Sequence, residues 1–284
     1  MAHQHPAPHP SPDLPPGGPV DLPGRGTTFV RDTGGERPVV LLLHGWGVTA
    51  DLNWFTAYQR LARDHRVVAL DHRGHGRGIR PPGDVVRLTD CADDAAALLD
   101  VLGIDRALVV GYSMGGAVAQ LLWRRHPERV AALVLGSTAR HFRAGPFSTT
   151  LYRAYTPVAR AASVADGPAR AVARRRIDRR VEGIELGPWV REELLRNTPA
   201  CVISAMRSIG RFTSTAWIGE LDVPAAVIVT TQDRTIPPWA QRRLAAAIPG
   251  ARTFEVDGPH DSVATRPDDY VPVLADAIAA VGDP

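Results

Sequence analysis

Arg106-Ala-Leu-Val-Val-Gly-Tyr-Ser-Met-Gly-Gly-Ala-Val-Ala-Gln120 joins two kinds of pattern with almost nothing between them. Ala107–Val110 is a continuous apolar run rich in β-branched residues, as in a strand buried on both faces. Met114–His126 carries Ala, Leu and Arg at helical spacing. Gly111-Tyr112-Ser113-Met114-Gly115 leaves no room for a loop, so strand must become helix at Ser113 itself. A turn that abrupt strains the backbone of the residue on it, and glycines two before and two after relieve the crowding. It also lifts the serine hydroxyl above the carboxyl edge of a sheet, where the helix start directs free N–H groups and partial positive charge. Gly-x-Ser-x-Gly by itself recurs as an inert glycine-rich turn. Strand before and helix after make Ser113 a candidate nucleophile.

A serine hydroxyl is a weak nucleophile at its free pKa and needs a base, with a carboxylate to orient that base. Both follow downstream. The apolar strand Ala225–Thr230 runs into Thr231-Gln232-Asp233-Arg234, and the strand Arg252–Val256 runs into Asp257-Gly258-Pro259-His260. Asp233 and His260 thus fall in loops at the carboxyl ends of consecutive strands. Asp257, before a Gly-Pro turn, and Asp261, at a helix start, are the competing acids.

The oxyanion of a tetrahedral intermediate needs preorganised donors. The Met114 amide, next after the nucleophile, is one. The strand Val39–Leu43 enters His44-Gly45-Trp46-Gly47, whose glycines let the chain turn back and offer the Trp46 amide as the second. The loop Asp71-His72-Arg73-Gly74-His75-Gly76-Arg77-Gly78 has no P-loop pattern, and the chain has no lysine, so a phosphate cradle is not expected. Its expected role is a polar brace beneath the oxyanion loop, with Asp71 and Arg73 paired. His44, His72 and His75 lack the ligand spacing of a metal site, and no metal or cofactor is expected.

Outward from these motifs the same rhythm recurs. Strands are predicted at Thr27–Arg31, Val39–Leu43, Arg66–Leu70, Ala107–Val110, Ala131–Leu135, Ala225–Thr230 and Arg252–Val256. Helices are predicted at Asp51–Ala62, Thr89–Leu102, Met114–His126, Trp239–Ala247 and Asp261–Val281. Apolar strands alternating with helices give an α/β class with a mostly parallel sheet. Between Leu135 and Val223 the alternation stops, and Leu151–Ala161, Pro168–Arg180, Val190–Arg196 and Pro199–Ser208 read as helices. A helical cap over residues 137–221 is expected, inserted between core segments 26–136 and 222–284. Residues 1–25, crowded with Pro, Gly and His, read as a disordered tail.

Whole-chain properties remove several classes. With 284 residues, 44% apolar and 22% charged, the chain suits one large soluble domain. All 33 basic residues are arginine, which reads as a chain-wide bias rather than a nucleic-acid surface. No apolar run approaches the roughly 18 residues of a membrane span. Cys91 and Cys201 make no disulfide framework, so a cytoplasmic setting is expected. Oligomeric state is not readable.

In four places, in order, the chain resembles the α/β-hydrolase superfamily, in its branch of small capped bacterial esterases, enol-lactonases, C–C bond hydrolases and cofactor-free haloperoxidases. These are His44-Gly45-Trp46-Gly47, Asp71-His72-Arg73-Gly74-His75-Gly76, Gly111-Tyr112-Ser113-Met114-Gly115-Gly116, and Asp233-Arg234 with Gly258-Pro259-His260. The resemblance implies Ser113 as nucleophile, His260 as base, Asp233 as orienting acid and the Trp46 and Met114 amides as oxyanion hole. It also implies that the cap transfers least. The chain departs from it after His260, where Asp261-Ser262-Val263-Ala264-Thr265-Arg266-Pro267 replaces the apolar residue and Glu-x-Pro turn of related chains.

A serine at the turn disfavours alkyl-enzyme chemistry on a carboxylate and leaves acyl chemistry, with a small-molecule carboxylic ester or lactone as first reading. Thioester cleavage or acyl transfer is the rival, through the arginines 170, 174, 175, 176, 179 and 180 of a cap helix. C–C hydrolysis and perhydrolysis use the same residues, and a pseudoenzyme that binds an apolar ligand is the non-catalytic alternative. Candidate pocket residues are His44, Trp46, Tyr112, Phe142, Tyr155 and Trp189, with Phe147, Leu151, Tyr152 and Phe212 as further apolar residues of the cap.

Overall fold

The computed structural model describes residues 10–142 and 166–282. Eight strands form one sheet: β1 (Gly17–Leu22), β2 (Gly26–Asp32), β3 (Val39–Leu43), β4 (Arg66–Leu70), β5 (Ala107–Tyr112), β6 (Val130–Gly136), β7 (Ala225–Thr230) and β8 (Arg252–Val256). Their order is β1-β2-β4-β3-β5-β6-β7-β8. β1 pairs antiparallel with β2 and β2 with β4, and every other neighbour is parallel.

The parallel strands are apolar throughout because helices cover both faces. Along β3, Leu41 and Leu43 enter one core cluster while Val40 and Leu42 enter the other, and all four are fully buried. Burying each is worth about 1.5–3 kcal/mol. The first cluster takes its helical partners from α3 (Leu88–Val101), α4 (Met114–Arg125) and α8 (Pro238–Ala245). The second takes them from α1 (Ala50–Trp54), α2 (Tyr58–Leu61) and α10 (Pro267–Gly282). Between β6 and β7 the described residues hold helices α5 (Asp166–Val181), α6 (Gly187–Leu195) and α7 (Pro199–Arg211), and no strand of the sheet. Among the described residues no helix is long and apolar enough to cross a membrane.

Register brings the functional loops to one edge. Leu43 is paired with Gly111, Gly136 with Ile228 and Thr230 with Val256, so the chain leaves β3, β5, β7 and β8 on the same side.

The structure corrects the sequence reading in four places. Residues 17–25 are no tail: Gly17–Leu22 is an edge strand, closed onto β2 by a turn through Gly24 and Gly26, both at positive φ. An edge strand tolerates Pro19, and the Pro/Gly content that suggested disorder is the content of a tight edge hairpin. The helix expected over Asp51–Ala62 is two short ones, α1 and α2, separated where the Thr56 hydroxyl donates to the Val263 carbonyl at 2.6 Å. The helix expected from Asp261 divides into α9 (Ser262–Thr265) and α10, with Pro267 at the break. Asp71 and Arg73 do not pair. Arg73 reaches across to α3 and donates two bonds to Asp94, at 2.6 and 2.5 Å. Asp71 accepts from the Ala50 and Arg77 amides, each at 2.8 Å, and so braces the start of α1. The helix expected over Leu151–Ala161, with Phe147, Leu151, Tyr152 and Tyr155, lies outside the described residues.

Candidate active site

Ser113 occupies the turn between β5 and α4 with φ 54° and ψ −114°, a conformation rare for a residue with a side chain. Its neighbours over-determine that strain. The Ser113 amide donates to the Gly136 carbonyl at 2.9 Å, and its carbonyl accepts from the Thr138 hydroxyl at 2.8 Å. Glycine is required on either side: a Cβ on Gly111 would come 2.7 Å from the Gly116 Cα, and one on Gly115 would lie 2.8 Å from the His44 carbonyl oxygen. That contact draws the start of α4 against the end of β3.

His260 Nδ1 lies 2.7 Å from Asp233 Oδ2, and His260 Nε2 lies 2.9 Å from Ser113 Oγ. A carboxylate only accepts, so Nδ1 carries the ring proton and Nε2 is left to accept from the serine hydroxyl. The Asp233 side chain is fully buried, while that of His260 keeps 24% of its surface exposed. Asp233 Oδ1 accepts from the Thr235 and Ile236 amides at 2.7 and 2.8 Å, and Oδ2 accepts from the Thr230 hydroxyl and the Gln241 amide at 3.0 and 3.1 Å. Gln241 also donates to the Ile236 carbonyl at 2.7 Å, which ties the acid loop to α8. The rival acids stand apart: Asp257 is exposed and accepts from Thr231 and Gln232, and Asp261 lies exposed at the start of α9.

The loop after β3 meets this group directly, since a Cβ on Gly45 would come 3.6 Å from Ser113 Cβ. The Gly45 amide donates to Asn53 Oδ1 at 2.9 Å, and the Gly45 carbonyl lies 2.7 Å from His44 Nδ1. His44 Nε2 accepts from the His72 main-chain amide at 2.8 Å, so Nδ1 bears the proton and donates to Gly45. The bond from His44 acts on the peptide whose other end is the Trp46 N–H, and the bond to Asn53 holds the peptide before it. Burial holds His44 down to about 4 and His75 down to about 3, and pushes His72 well below the usual histidine range. The three rings pack as neutral groups, with centroids 4.4 Å apart for His44 and His72 and 5.5 Å for His44 and His75. Among the described residues no group of three or more His, Cys, Asp or Glu is arranged to hold a metal ion.

Several side chains expected to line the pocket do other work. His44 is fully buried behind the loop that follows β3, without surface for a ligand. Tyr112 is 3% exposed; its hydroxyl donates to the His260 main-chain carbonyl, and its ring meets Tyr270 and Trp54. Phe142 packs against Phe212, and Trp189 against Phe55 at 5.2 Å, both nearly buried. The Trp46 indole donates to the Val202 carbonyl of α7 at 2.7 Å. Tyr155 lies outside the described residues. A cavity of about 510 Å³ opens between α5, α6 and α7, lined by Ala171, Arg174, Ile177, Leu194, Leu195 and Pro199 among others, and its walls include none of Ser113, Asp233 and His260. On α5, Arg174, Arg175, Arg176 and Arg179 are exposed; the side chains of Arg170 and Arg180 lie outside the described set. Asn53, Gln241 and the tyrosine bond to His260 went unread in the sequence, because no motif marks a side chain whose partner is a distant main-chain group.

A family model described as alpha/beta hydrolase fold matches residues 38–267. The 2-hydroxymuconate semialdehyde hydrolase of Pseudomonas sp. (strain CF600) is 40% identical over 114 residues, which cover 39% of this chain and 40% of that enzyme. A protein of Azorhizobium caulinodans named as a carbamate hydrolase, RutD, is 26% identical over 85% of this chain and 95% of its own length. The crystal structure of an enol-lactonase from Burkholderia xenovorans LB400 is 26% identical, covers 92% of this chain and all of its own, and superposes with a TM-score of 0.75.

Proposed function

This chain belongs to the alpha/beta hydrolase fold family, and within it we propose a serine hydrolase that cleaves a carboxylic ester or lactone of a small, mainly apolar substrate. The observation that carries this reading is the continuous hydrogen-bonded line from the buried Asp233 through His260 to Ser113. The strained turn at Ser113 and the similarity to an enol-lactonase add to it.

The chemistry runs on the chain's own groups. Ser113 Oγ attacks the substrate carbonyl carbon while His260 Nε2 takes its proton, and the charge that develops on Nε2–H is balanced by Asp233 through Nδ1–H. The carbonyl oxygen becomes an oxyanion facing the Trp46 and Met114 amides, a pair of donors of which each is worth about 3–4 kcal/mol of barrier. Collapse expels the alcohol oxygen, which takes the proton from Nε2 and leaves an acyl group on Ser113. Water, deprotonated by the same nitrogen, attacks the acyl carbon, and a second collapse returns the proton to Ser113 and frees the acid. In a lactone, alcohol and acid leave as one molecule.

A second reading, hydrolysis of a C–C bond next to a carbonyl on the same residues, is favoured by the identity to the 2-hydroxymuconate semialdehyde hydrolase over 39% of the chain. A fluorophosphonate probe followed by turnover on p-nitrophenyl esters, lactones and a vinylogous diketone separates the readings. Labelling at Ser113 with ester or lactone turnover supports the proposal. Labelling with turnover of the diketone alone supports the second reading, and no labelling at Ser113 overturns both.

A further inference from the structure

Trp46 is followed by Gly47 at φ +74° and preceded by Gly45, so the loop carrying the proposed oxyanion donor has little stiffness of its own. On its N-terminal side the core holds it, through Asn53 and His44 acting on Gly45. On its C-terminal side the holding groups come from the helical region between β6 and β7. The Trp46 indole donates to the Val202 carbonyl at 2.7 Å. The Asn197 side chain donates from Nδ2 to the Gly47 carbonyl at 3.2 Å. Asn197 sits between α6 and α7, and its Nδ2 also donates to the Leu194 carbonyl at 3.1 Å, which fixes the amide on its own helix end. Its Oδ1 accepts from the Gly76 amide at 3.0 Å. Gly76 is at φ +49° in the second glycine-rich loop. One carboxamide therefore bridges α6, the oxyanion loop and the Asp71–Gly78 loop. Close by, the Thr49 hydroxyl donates to the buried Glu193 of α6 at 2.6 Å, so the helices reach the same loop at a further point.

We propose that Asn197 is a positioning residue for turnover: it holds Gly47, and through it the Trp46 amide, in the place the oxyanion needs. The helical region between β6 and β7 then contributes to the rate of the chemical step as well as to the choice of substrate. This rests on the serine-hydrolase reading. The physical reason is that a donor stabilises a transition state only if it is already aimed when charge develops, and a glycine-flanked peptide left to itself spreads over many orientations. Ground-state binding uses the oxyanion donors little, so loosening them lowers kcat and leaves KM near its original value.

The test compares wild type with Asn197→Ala, Asn197→Asp and Trp46→Phe on one p-nitrophenyl ester, measuring kcat, KM and inhibition by a trifluoromethyl ketone of the same acyl chain. Asn197→Asp keeps the acceptor for Gly76 and loses the donor to Gly47; Trp46→Phe keeps the main-chain amide and loses the indole N–H together with part of the ring that packs against the core. The expected result is a fall in kcat of about 10- to 100-fold in both Asn197 variants, with KM within about threefold and ketone affinity falling in step with kcat/KM. Trp46→Phe is expected to move the same way by a smaller factor, which keeps the test valid if an Asn197 variant fails to fold. Wild-type kcat in Asn197→Asp or Trp46→Phe, or a loss confined to KM, overturns the inference and leaves the serine-hydrolase reading intact. A wild-type protein that neither labels at Ser113 nor turns over the ester overturns that reading instead.

Discussion

The Tyr112 hydroxyl donates to the main-chain carbonyl of His260 at 2.5 Å, so the residue before the strained serine holds the loop that carries the histidine bonded to it. The strand that presents one partner thereby sets the height of the other.

Replacing Tyr112 with Phe keeps the ring against Tyr270 and Trp54, whose centroids lie 5.6 and 6.0 Å away, and removes the hydroxyl with that bond and its interactions with Ser137 and the Val263 main chain. The unpaired, part-buried carbonyl costs about 1 kcal/mol, the low end of the range for a buried group. With His260 free to shift, kcat is expected to fall by about 10- to 100-fold. Urea unfolding and steady-state kinetics on the same preparation check both figures, and an unchanged kcat would show that Asp233 alone fixes the ring.

Asp233→Asn should separate orientation from folding. Two main-chain amides, of Thr235 and Ile236, point at Oδ1, so the new side chain keeps its oxygen there and turns its NH2 toward His260. The imidazole must then accept at Nδ1 and carry its proton on Nε2, where it cannot take one from Ser113. A loss of about four orders of magnitude in kcat is expected. The rate of fluorophosphonate labelling should fall with it, while the thermal midpoint drops modestly, reflecting the roughly 1–3 kcal/mol of setting the new NH2 against the Thr230 and Gln241 donors.

Stability should fall with acid in a window set by the buried histidines. His44, His72 and His75 are neutral in the fold, with His44 held near 4 and His75 near 3 by burial, whereas in the unfolded chain each takes a proton near 6.5. Above 6.5 both states bind none, and their contribution is fully present. Between 6.5 and 4 only the unfolded state binds protons, so stability declines as pH falls, by about 3 kcal/mol from His44 alone. The carboxylates held low by hydrogen bonds from arginines, Asp32, Asp51 and Asp93, lose their contribution only below about 3.8 and stay out of this window. Urea midpoints from pH 8 to pH 4 measure the slope; a flat profile across that range would show that the rings are hydrated.

Leu22→Ala tests whether the first hairpin belongs to the core. Leu22 is fully buried in the core cluster that also holds Ile79, Val86 and Leu88, although it lies in a stretch that reads as a tail. A loss of about 2–5 kcal/mol is expected from the cavity, measured by chemical unfolding. A loss below about 0.5 kcal/mol, as at an exposed site, would return residues 17–25 to a peripheral role.

That hairpin also marks where sequence stops being informative. β3, β5 and β7 were legible because strands covered on both faces must be apolar at every position, and Val39–Leu43 or Ala225–Thr230 admits few other readings. β1 touches the core with Val20 and Leu22 only, and its Gly and Pro carry the turn and the edge. Ser113, Asp233 and His260 were legible because each follows a strand closely, so the sheet alone fixes their neighbourhood. Arg73 was not, since its partner Asp94 lies on a helix whose approach is set by packing. His44 reads as a pocket residue from its place in the loop, and only its two ring bonds reveal it as the support of a peptide plane.

The bond from Ser113 to His260 joins residues 147 apart in the chain. A contact of that range forms only after β5 through β8 have come together, and slow refolding is the rule when the defining contacts are so non-local. The helices need no such assembly and regain structure early. After dilution from denaturant, recovered hydrolysis should therefore trail recovered helical circular dichroism. Turnover becomes a clock for the last event of folding, and a chain arrested before that event will look folded by spectroscopy while remaining inert.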